Sequence, residues 1–530
     1  LVDKAVQWRY LSIGLMVGFF LLTLSIVAGG GLKFLAFPDI DGNLIEARIL
    51  LPQGTPLERT EATVKAITDA LKRVDAEFTP SQPGQSPLVR NINTRYGTNK
   101  DAYESGPHVA TVSVDLLDAE IRNVTLLQIL NRWRAQSGTL SDVLAVNFVE
   151  YAHGPAGRAI DIRLHGDDLE ELKTVSHSLQ GWINSYQGVL DLHDDLRPGK
   201  PEIRLQLSPG ALSLGLDASA IASQLRAAFF GRTVSDIQVG AEAMEIDVRL
   251  AAVDRDSLAD LEYFTLTTPS GKQVPLTAVA TLQRDRGWAR IARIDGRRTL
   301  TIQGDVDGQI ANVAEIIGDT RARFLSKLLE EHPHVSVSYE GQVKEGSTTG
   351  KSIIRGFGFG LIGVFLLLSF LFKSYVEPII IMAIIPLSLI GVIWGHLLMG
   401  LDLSMPSVIG FASLAGVVVN DSILLVHFIK IRRAEGLAPV DAAKAASRQR
   451  FRAVLLTSLT TIAGLLPLML EQSLQAQVLI PLVTSLCFGL LASTVLVLIA
   501  VPVLYAIFDD FGWTATIEQE NNEAIIEPVV

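Results

Sequence analysis

The chain has 530 residues and a formal net charge of −11, with 48% hydrophobic but only 19% charged residues, and its mean hydropathy is +0.34. That balance is too apolar for an ordinary soluble protein and too acidic for a nucleic-acid binder, while the length allows several domains. The single cysteine, Cys487, excludes an intrachain disulfide framework.

The first predicted element is an apolar span over residues 11–32, preceded by Lys4 and Arg9. Ala28-Gly29-Gly30 imitates a signal-cleavage site, but 22 uncharged residues exceed a signal core, so the span is read as retained. The chain begins at Leu1 rather than Met, and we expect it to be a piece of a longer protein.

Residues 33–355 form a long polar excursion with folded patterning. Glu46 and Arg48 alternate with Ile45, Ala47 and Ile49, the pattern of a half-buried strand. Val64, Ile67, Leu71, Val74 and Phe78 recur at helical spacing. Val112, Val114 and Leu116 predict a strand, Leu126, Ile129, Leu130 and Trp133 a helix, and Val146 and Phe148 another strand. The same order returns after Gly157: Ile160, Ile162 and Leu164, then a helix through Leu172, Val175, Leu179 and Ile183. A later round has Leu300 and Ile302, a helix through Val313, Ile316, Ile317, Phe324 and Leu328, then Val335, Val337 and Tyr339. The repetition predicts α+β subdomains of the split βαβ, ferredoxin-like type. Between them, over residues 206–283, a helix near 218–229, short strands and the turn Thr268-Pro269-Ser270-Gly271-Lys272 predict an inserted subdomain.

Five more spans are predicted over residues 356–372, 378–401, 403–428, 453–470 and 478–508, making a membrane α-helical bundle of six. The connector 429–452 carries Lys430, Arg432, Arg433, Lys444, Arg448, Arg450 and Arg452 against Glu435 and Asp441; the connector 471–477 carries no base. By the positive-inside rule the basic connector and both chain ends are cytoplasmic and residues 33–355 lie outside. Asp509, Asp510, Glu518, Glu520, Glu523 and Glu527 read as a solvated acidic tail.

Within residues 403–428, Asp421 is the sole Asp, Glu, Lys or Arg. A carboxylate there costs at least ~2.5–3.5 kcal/mol, so it faces a partner or a water path rather than lipid. Such a group can load and unload protons. The alternative is a packing residue that bonds Asn420, Ser422 or Thr457 and locks helices together. Asn420 orients water or a facing carboxylate, or else bonds another helix. Arg450 and Arg452 assist the relay or only set topology. Thr457 lies in a polar patch with Ser458, Thr460 and Thr461, whose hydroxyls can equally satisfy their own helix. His396 and His427 are read as interfacial.

Catalytic and cofactor signals are weak. Gly346-Ser347-Thr348-Thr349-Gly350-Lys351-Ser352 has three residues between its glycines where a phosphate loop needs four. No zinc spacing and no nucleophile–base set appears, so neither an enzyme, a cofactor nor a resident metal is expected.

Several motifs coincide in order: Leu51-Pro52-Gln53-Gly54-Thr55-Pro56-Leu57-Glu58-Arg59-Thr60, Ile160-Asp161-Ile162-Arg163-Leu164-His165-Gly166-Asp167-Asp168-Leu169, the Gly-Lys-Gln-Val-Pro-Leu ending of 268–276, Ile385-Pro386-Leu387-Ser388-Leu389-Ile390-Gly391, the Asn420-Asp421 span, and Arg450-Phe451-Arg452-Ala453-Val454-Leu455-Leu456-Thr457-Ser458. Together they resemble the second half of a resistance–nodulation–cell division (RND) permease of the hydrophobe/amphiphile efflux type. The resemblance implies a multi-pass inner-membrane homotrimer surrounded by membrane lipid, with periplasmic porter and docking subdomains. It implies a periplasmic adaptor (membrane fusion) protein and an outer-membrane channel as partners, and a missing first half with six further spans. The expected layout is a first span to residue 37, porter subdomains over 38–153, 154–205 and 286–350, a docking subdomain over 206–285, five spans over 351–508 and a tail over 509–530.

In that family the main proton-carrying aspartates lie on the absent half, and the second half contributes a lysine. By motif that lysine falls on Asn420, which cannot supply its salt bridge, so Asp421 takes a different part. Arg450 and Thr457 match the family's assisting positions. The family's metal exporters use periplasmic methionines; of six methionines only Met244 lies in the excursion, which argues against copper or silver. Its multidrug members line a pocket with phenylalanines; residues 88–108 offer Tyr96 and Tyr103 instead, which predicts a more polar or narrower amphiphile as the small-molecule substrate. The competing functions are a related lipid carrier or protein-translocation accessory, and a membrane receptor or scaffold without transport.

Overall fold

The computed structural model describes residues 2–35, 41–150, 157–308, 310–471 and 473–514; Glu518, Glu520, Glu523 and Glu527 lie outside them. Contacts divide the chain into two units, one of residues 1–51, 55–195 and 292–530, the other of 52–54 and 196–291.

Among the described residues of the first unit, six helices are long and apolar enough to cross a membrane: Arg9–Ala28, Gly341–Phe372, Val376–Met399, Met405–Ala434, Pro439–Met469 and Gln475–Asp510. The spans that looked short in sequence extend through polar flanks, to 32 residues in Gly341–Phe372 and 31 in Pro439–Met469, because nothing there breaks the helix before it leaves the apolar zone. The supposed acidic tail begins as structure: Asp510 ends the last helix and accepts a hydrogen bond from Arg9 Nε at 2.5 Å and from the Tyr10 hydroxyl at 3.1 Å.

The bundle closes through glycines. A methyl group at Gly391 would lie 2.3 Å from the Phe488 carbonyl oxygen, and one at Gly410 2.5 Å from that of Leu482. The last helix therefore meets its neighbours backbone to backbone, the packing that small residues allow where lipid removes the hydrophobic drive.

The soluble part of this unit holds two sheets of the same topology. In the first, Leu44–Leu50 lies between Glu104–Leu116 and Ala145–Glu150, and Val89–Asn99 borders Glu104–Leu116, all antiparallel. The helices Leu57–Phe78 and Leu126–Ser137 bury Ile67, Leu71, Ile129 and Trp133 against Ile45 and Ile49. In the second, Ile160–His165 lies between Arg297–Val306 and Ser336–Tyr339, and Val189–Asp194 pairs with Arg297–Val306. Both are the ferredoxin-like order. Sequence reading overlooked the strand Val89–Asn99, whose polar side chains suit an exposed edge rather than a core.

The expected solvent face of Leu44–Leu50 is a second interior. Glu46 is fully buried and Arg48 nearly so. Arg48 pairs with Glu46 at 2.7 Å and with Asp101 at 2.6 Å, and Arg158, which leads into the second sheet, pairs with Asp101 at 2.5 Å. Alternation marked the polar face correctly; what covers it is the next subdomain, and the buried charges persist because they are paired.

The second unit, Leu196–Ile291 with Pro52–Gly54, is inserted between the second and third strands of the second sheet. Its core gathers Leu216, Ile221, Leu266, Leu276 and Val279. Two long strands, Arg232–Val239 and Glu242–Val248, form an antiparallel ribbon exposed along its whole length.

Two predictions follow from this packing. Gly410→Val, by forcing two backbones apart, lowers stability by about 1–3 kcal/mol, read as an earlier thermal midpoint of the detergent-solubilised whole permease; Gly464→Val, at an exposed position where a methyl meets nothing within 4 Å, leaves it unchanged. Burial alone would push the Asp101 carboxyl up, but the Arg158 and Arg48 guanidiniums and the Asn147 amide outweigh it and hold it below the usual carboxylate range. Its contribution is therefore full above the reference value of about 3.9 and lost as pH falls through the lower native value. Asp101→Asn costs about 1–3 kcal/mol by removing the carboxylate shared by two buried guanidiniums, which keep only Glu46 and Asp305 as partners, and flattens the acid limb of the stability–pH curve.

Candidate proton site in the helical bundle

Asp421 is 4% exposed in the Met405–Ala434 helix. It shares the buried face with Gly410, Leu414, Val418 and Leu425, so the glycine contact that seats this helix also aims the carboxyl group inward. Among the described residues Asp421 makes no hydrogen bond or ion pair. The hydroxyls that could have locked it bond their own helices: Ser422 donates to the Val418 carbonyl at 2.8 Å and Thr457 to that of Ala453 at 2.9 Å. Thr460 and Thr461 do the same. Ser458 differs, accepting from the Thr494 hydroxyl of the last helix at 2.6 Å.

Asn420 points away. Successive helical residues are about 100° apart, and Asn420 falls in an exposed stripe with Ile409, Ser413, Gly416, Leu424 and His427. The adjacent pair thus serves two faces, Asp421 turned into this chain's bundle and Asn420 out of it.

Arg450 is not brought to Asp421. Its guanidinium carbon lies 3.4 Å from the centroid of the Phe428 ring, and its Nε is buried without an acceptor among the described residues. Phe428 is two helical turns beyond Asp421, about 10 Å along the axis. The arginine is held as a cation on an aromatic face. Arg452 is exposed.

Tyr96 and Tyr103 belong to the first sheet. Tyr96 lies on its edge strand, 41% exposed, and Tyr103 in the turn that follows, 66% exposed. They sit on an open hairpin, apart from the helical bundle.

Sequence reading missed a second buried carboxyl, at the start of a spanning helix. Glu377 is 1% exposed and lies 3.5 Å from Lys430 Nζ, which also donates to the Phe372 carbonyl at 3.0 Å. Nearby, Arg433 donates to the Tyr505 hydroxyl at 3.1 Å. The signal was an acidic residue directly before the apolar run at Pro378; starting the span one residue later hid it, and Lys430 was counted only for topology. His396 is another correction. It is fully buried rather than interfacial, its Nε2 2.8 Å from Ser407 Oγ and its Nδ1 2.9 Å from the Val392 carbonyl oxygen, because a glycine-rich helix contact encloses it.

Chemically, Glu377 has a fixed cation and Asp421 has none. A carboxyl group with no fixed counter-charge in an apolar bundle can adjust its own charge by exchanging a proton. Among the described residues no three His, Cys, Asp or Glu side chains are grouped to hold a metal ion.

Comparison with known proteins places these features. Residues 1–509 match the AcrB/AcrD/AcrF family. The chain is 24% identical over 499 residues to the cation efflux system protein CzcA of Alcaligenes sp. (strain CT14), covering 91% of this chain and 46% of that protein. The fold matches X-ray structures of a heavy metal efflux pump in crystal forms II and I, with TM-scores of 0.79 and 0.77 at 22% identity, covering 96% of this chain and 52% and 51% of those. The chain spans about half the length of the relatives it matches. On the family match and the shared fold, the chain belongs to the AcrB/AcrD/AcrF family of RND permeases that its motifs resemble.

Proposed function

We propose that this chain is the proton-coupling second half of an RND export pump, with Asp421 as its protonatable group. The observation that carries this reading is a buried mid-span carboxyl without a partner among the described residues. Protonation neutralises it and alters how the Met405–Ala434 helix packs; release restores the charge. The exposed stripe through Ser413, Gly416 and Asn420 is small and polar, which suits cover by spans of another half rather than lipid. The basic connector then faces the cytoplasm, the two sheets and the inserted unit face the periplasm of an inner-membrane protein, and the chain transports rather than catalyses.

The relatives are named for cation and heavy-metal efflux, and these names move the substrate reading from an amphiphile to a metal cation. The amphiphile remains a second reading because, among the described residues, no three-ligand group is present.

The exposed ribbon favours assembly. Val234, Ile237, Met244 and Ile246 are 40–58% exposed on a two-stranded hairpin, and an isolated hairpin is marginal in water. A neighbouring copy in a homotrimer covers it in this reading, and an adaptor and an outer-membrane channel complete the pump.

In proteoliposomes of the whole permease, Asp421→Asn is expected to reduce proton-coupled flux to background with normal folding; undiminished flux makes Asp421 a packing residue. The same assay with zinc, silver and an amphiphilic dye separates the substrate readings: metal-stimulated proton flux supports the cation, dye-stimulated flux the amphiphile, and none with any substrate favours a receptor. Ile237→Asp with Ile246→Asp is expected to shift the native mass of the permease from trimer toward monomer; an unchanged trimer removes the ribbon from the interface.

A further inference from the structure

A groove lies along the Pro439–Met469 and Leu474–Asp510 helices, at the end nearer the basic connector and bordered there by Val2 of the short helix Val2–Gln7, with a volume of about 460 Å³. That is within the range of small-ligand sites. Its walls are apolar side chains, chiefly Phe451, Leu455, Val495, Leu498 and Ile499, and Arg448 stands at its rim. The two helices run in opposite directions, so Arg448 and Ile499 mark the connector end and Leu455 and Val495 the deep end. From Arg448 to Leu455 is seven residues, about 10 Å along the helix, which fits inside one leaflet of a ~30 Å hydrocarbon core.

The charge is placed on one helix. Arg452 stands one turn further along it than Arg448, toward Leu455 and beside the groove rather than in its lining, exposed and without an ion pair among the described residues. Arg448 pairs with Asp3, but the two side chains are 67% and 51% exposed; a pair of that kind is worth ~0–1 kcal/mol and exchanges readily. Trp8 and Tyr10, in the turn and first residues of the opening span, are 62% and 57% exposed. Exposed aromatics at a span end mark the level of lipid headgroups. A basic rim over an apolar shaft at that level has the complementarity of an anionic amphiphile built into the leaflet itself.

We propose that this groove binds an anionic phospholipid, its phosphate on Arg448 and Arg452 and one acyl chain against Phe451, Leu455, Val495 and Leu498. Basic pockets between spans recognise acidic headgroups in this way. The lipid lies over the seam between the last two helices, which the hydrogen bonds from Ser447 to the Leu498 carbonyl at 2.9 Å and from Thr494 to Ser458 at 2.6 Å hold closed beneath it.

The test uses the whole permease in nanodiscs of phosphatidylglycerol and phosphatidylcholine, one of them carrying a photoactivatable acyl chain, with labelled peptides mapped by mass spectrometry. The phosphatidylglycerol probe is expected to label residues 447–455 and 494–499 at least about fivefold more than the phosphatidylcholine probe, and each arginine to account for about fivefold. R448Q with R452Q equalises the two probes, and soluble glycerol phosphate does not compete. V495W removes labelling by both; Val495 is 57% exposed, so the added ring enters the groove without overpacking the core. Equal labelling of the unaltered protein by the two probes overturns the proposal, as does absence of label from the groove, the result if another protein segment covers it.

Discussion

A carboxyl group in the middle of a membrane helix must be answered by a cation, by hydrogen bonds, by water or by a proton. In this chain the first two answers are missing at Asp421 among the described residues. The reason is structural. Gly410 brings the Met405–Ala434 helix against the backbone of the last helix, and the same face turns Asp421 inward. Ser422 and Thr457 satisfy carbonyls of their own helices instead, and Arg450 is stacked on Phe428. The proton is the answer on which the proposed coupling rests.

Glu377 shows the contrast. It is as deeply buried as Asp421 but has Lys430 beside it. A buried pair of this sort holds its charges in place, and losing one member leaves the other uncompensated. The bundle thus holds one carboxyl tied to a cation and one that is not. The soluble sheets use charge in a third manner. Arg158–Asp101 and Arg134–Asp191 join the two ferredoxin-like subdomains through largely buried ion pairs, which fix the two sheets to each other because parting them would leave charges uncompensated.

Much of this was legible in the residues. The six spans, the doubled strand–helix order and the odd carboxyl at Asp421 follow from hydropathy and periodicity, which report burial directly. What the sequence hid depends on neighbours far along the chain. The strand Val89–Asn99 went unread because an edge strand needs few apolar residues. Glu46 and Arg48 looked solvent-facing because alternation does not reveal that a second subdomain covers the polar side. His396 looked interfacial from its place near a span end, whereas the helix contacts enclose it. The substrate was least legible: a count of methionines and phenylalanines favoured an amphiphile, and the named relatives are pumps for cations and heavy metals.

The central claim is that the Asp421 carboxyl exchanges a proton within the membrane. Infrared difference spectroscopy of the whole permease in lipid, stepped through the physiological pH range, tests it most directly. The account predicts a protonated-carboxyl band that appears on acidification, disappears on return and is absent from Asp421→Asn. A band unchanged by that substitution, or no such band in the unaltered protein, contradicts it.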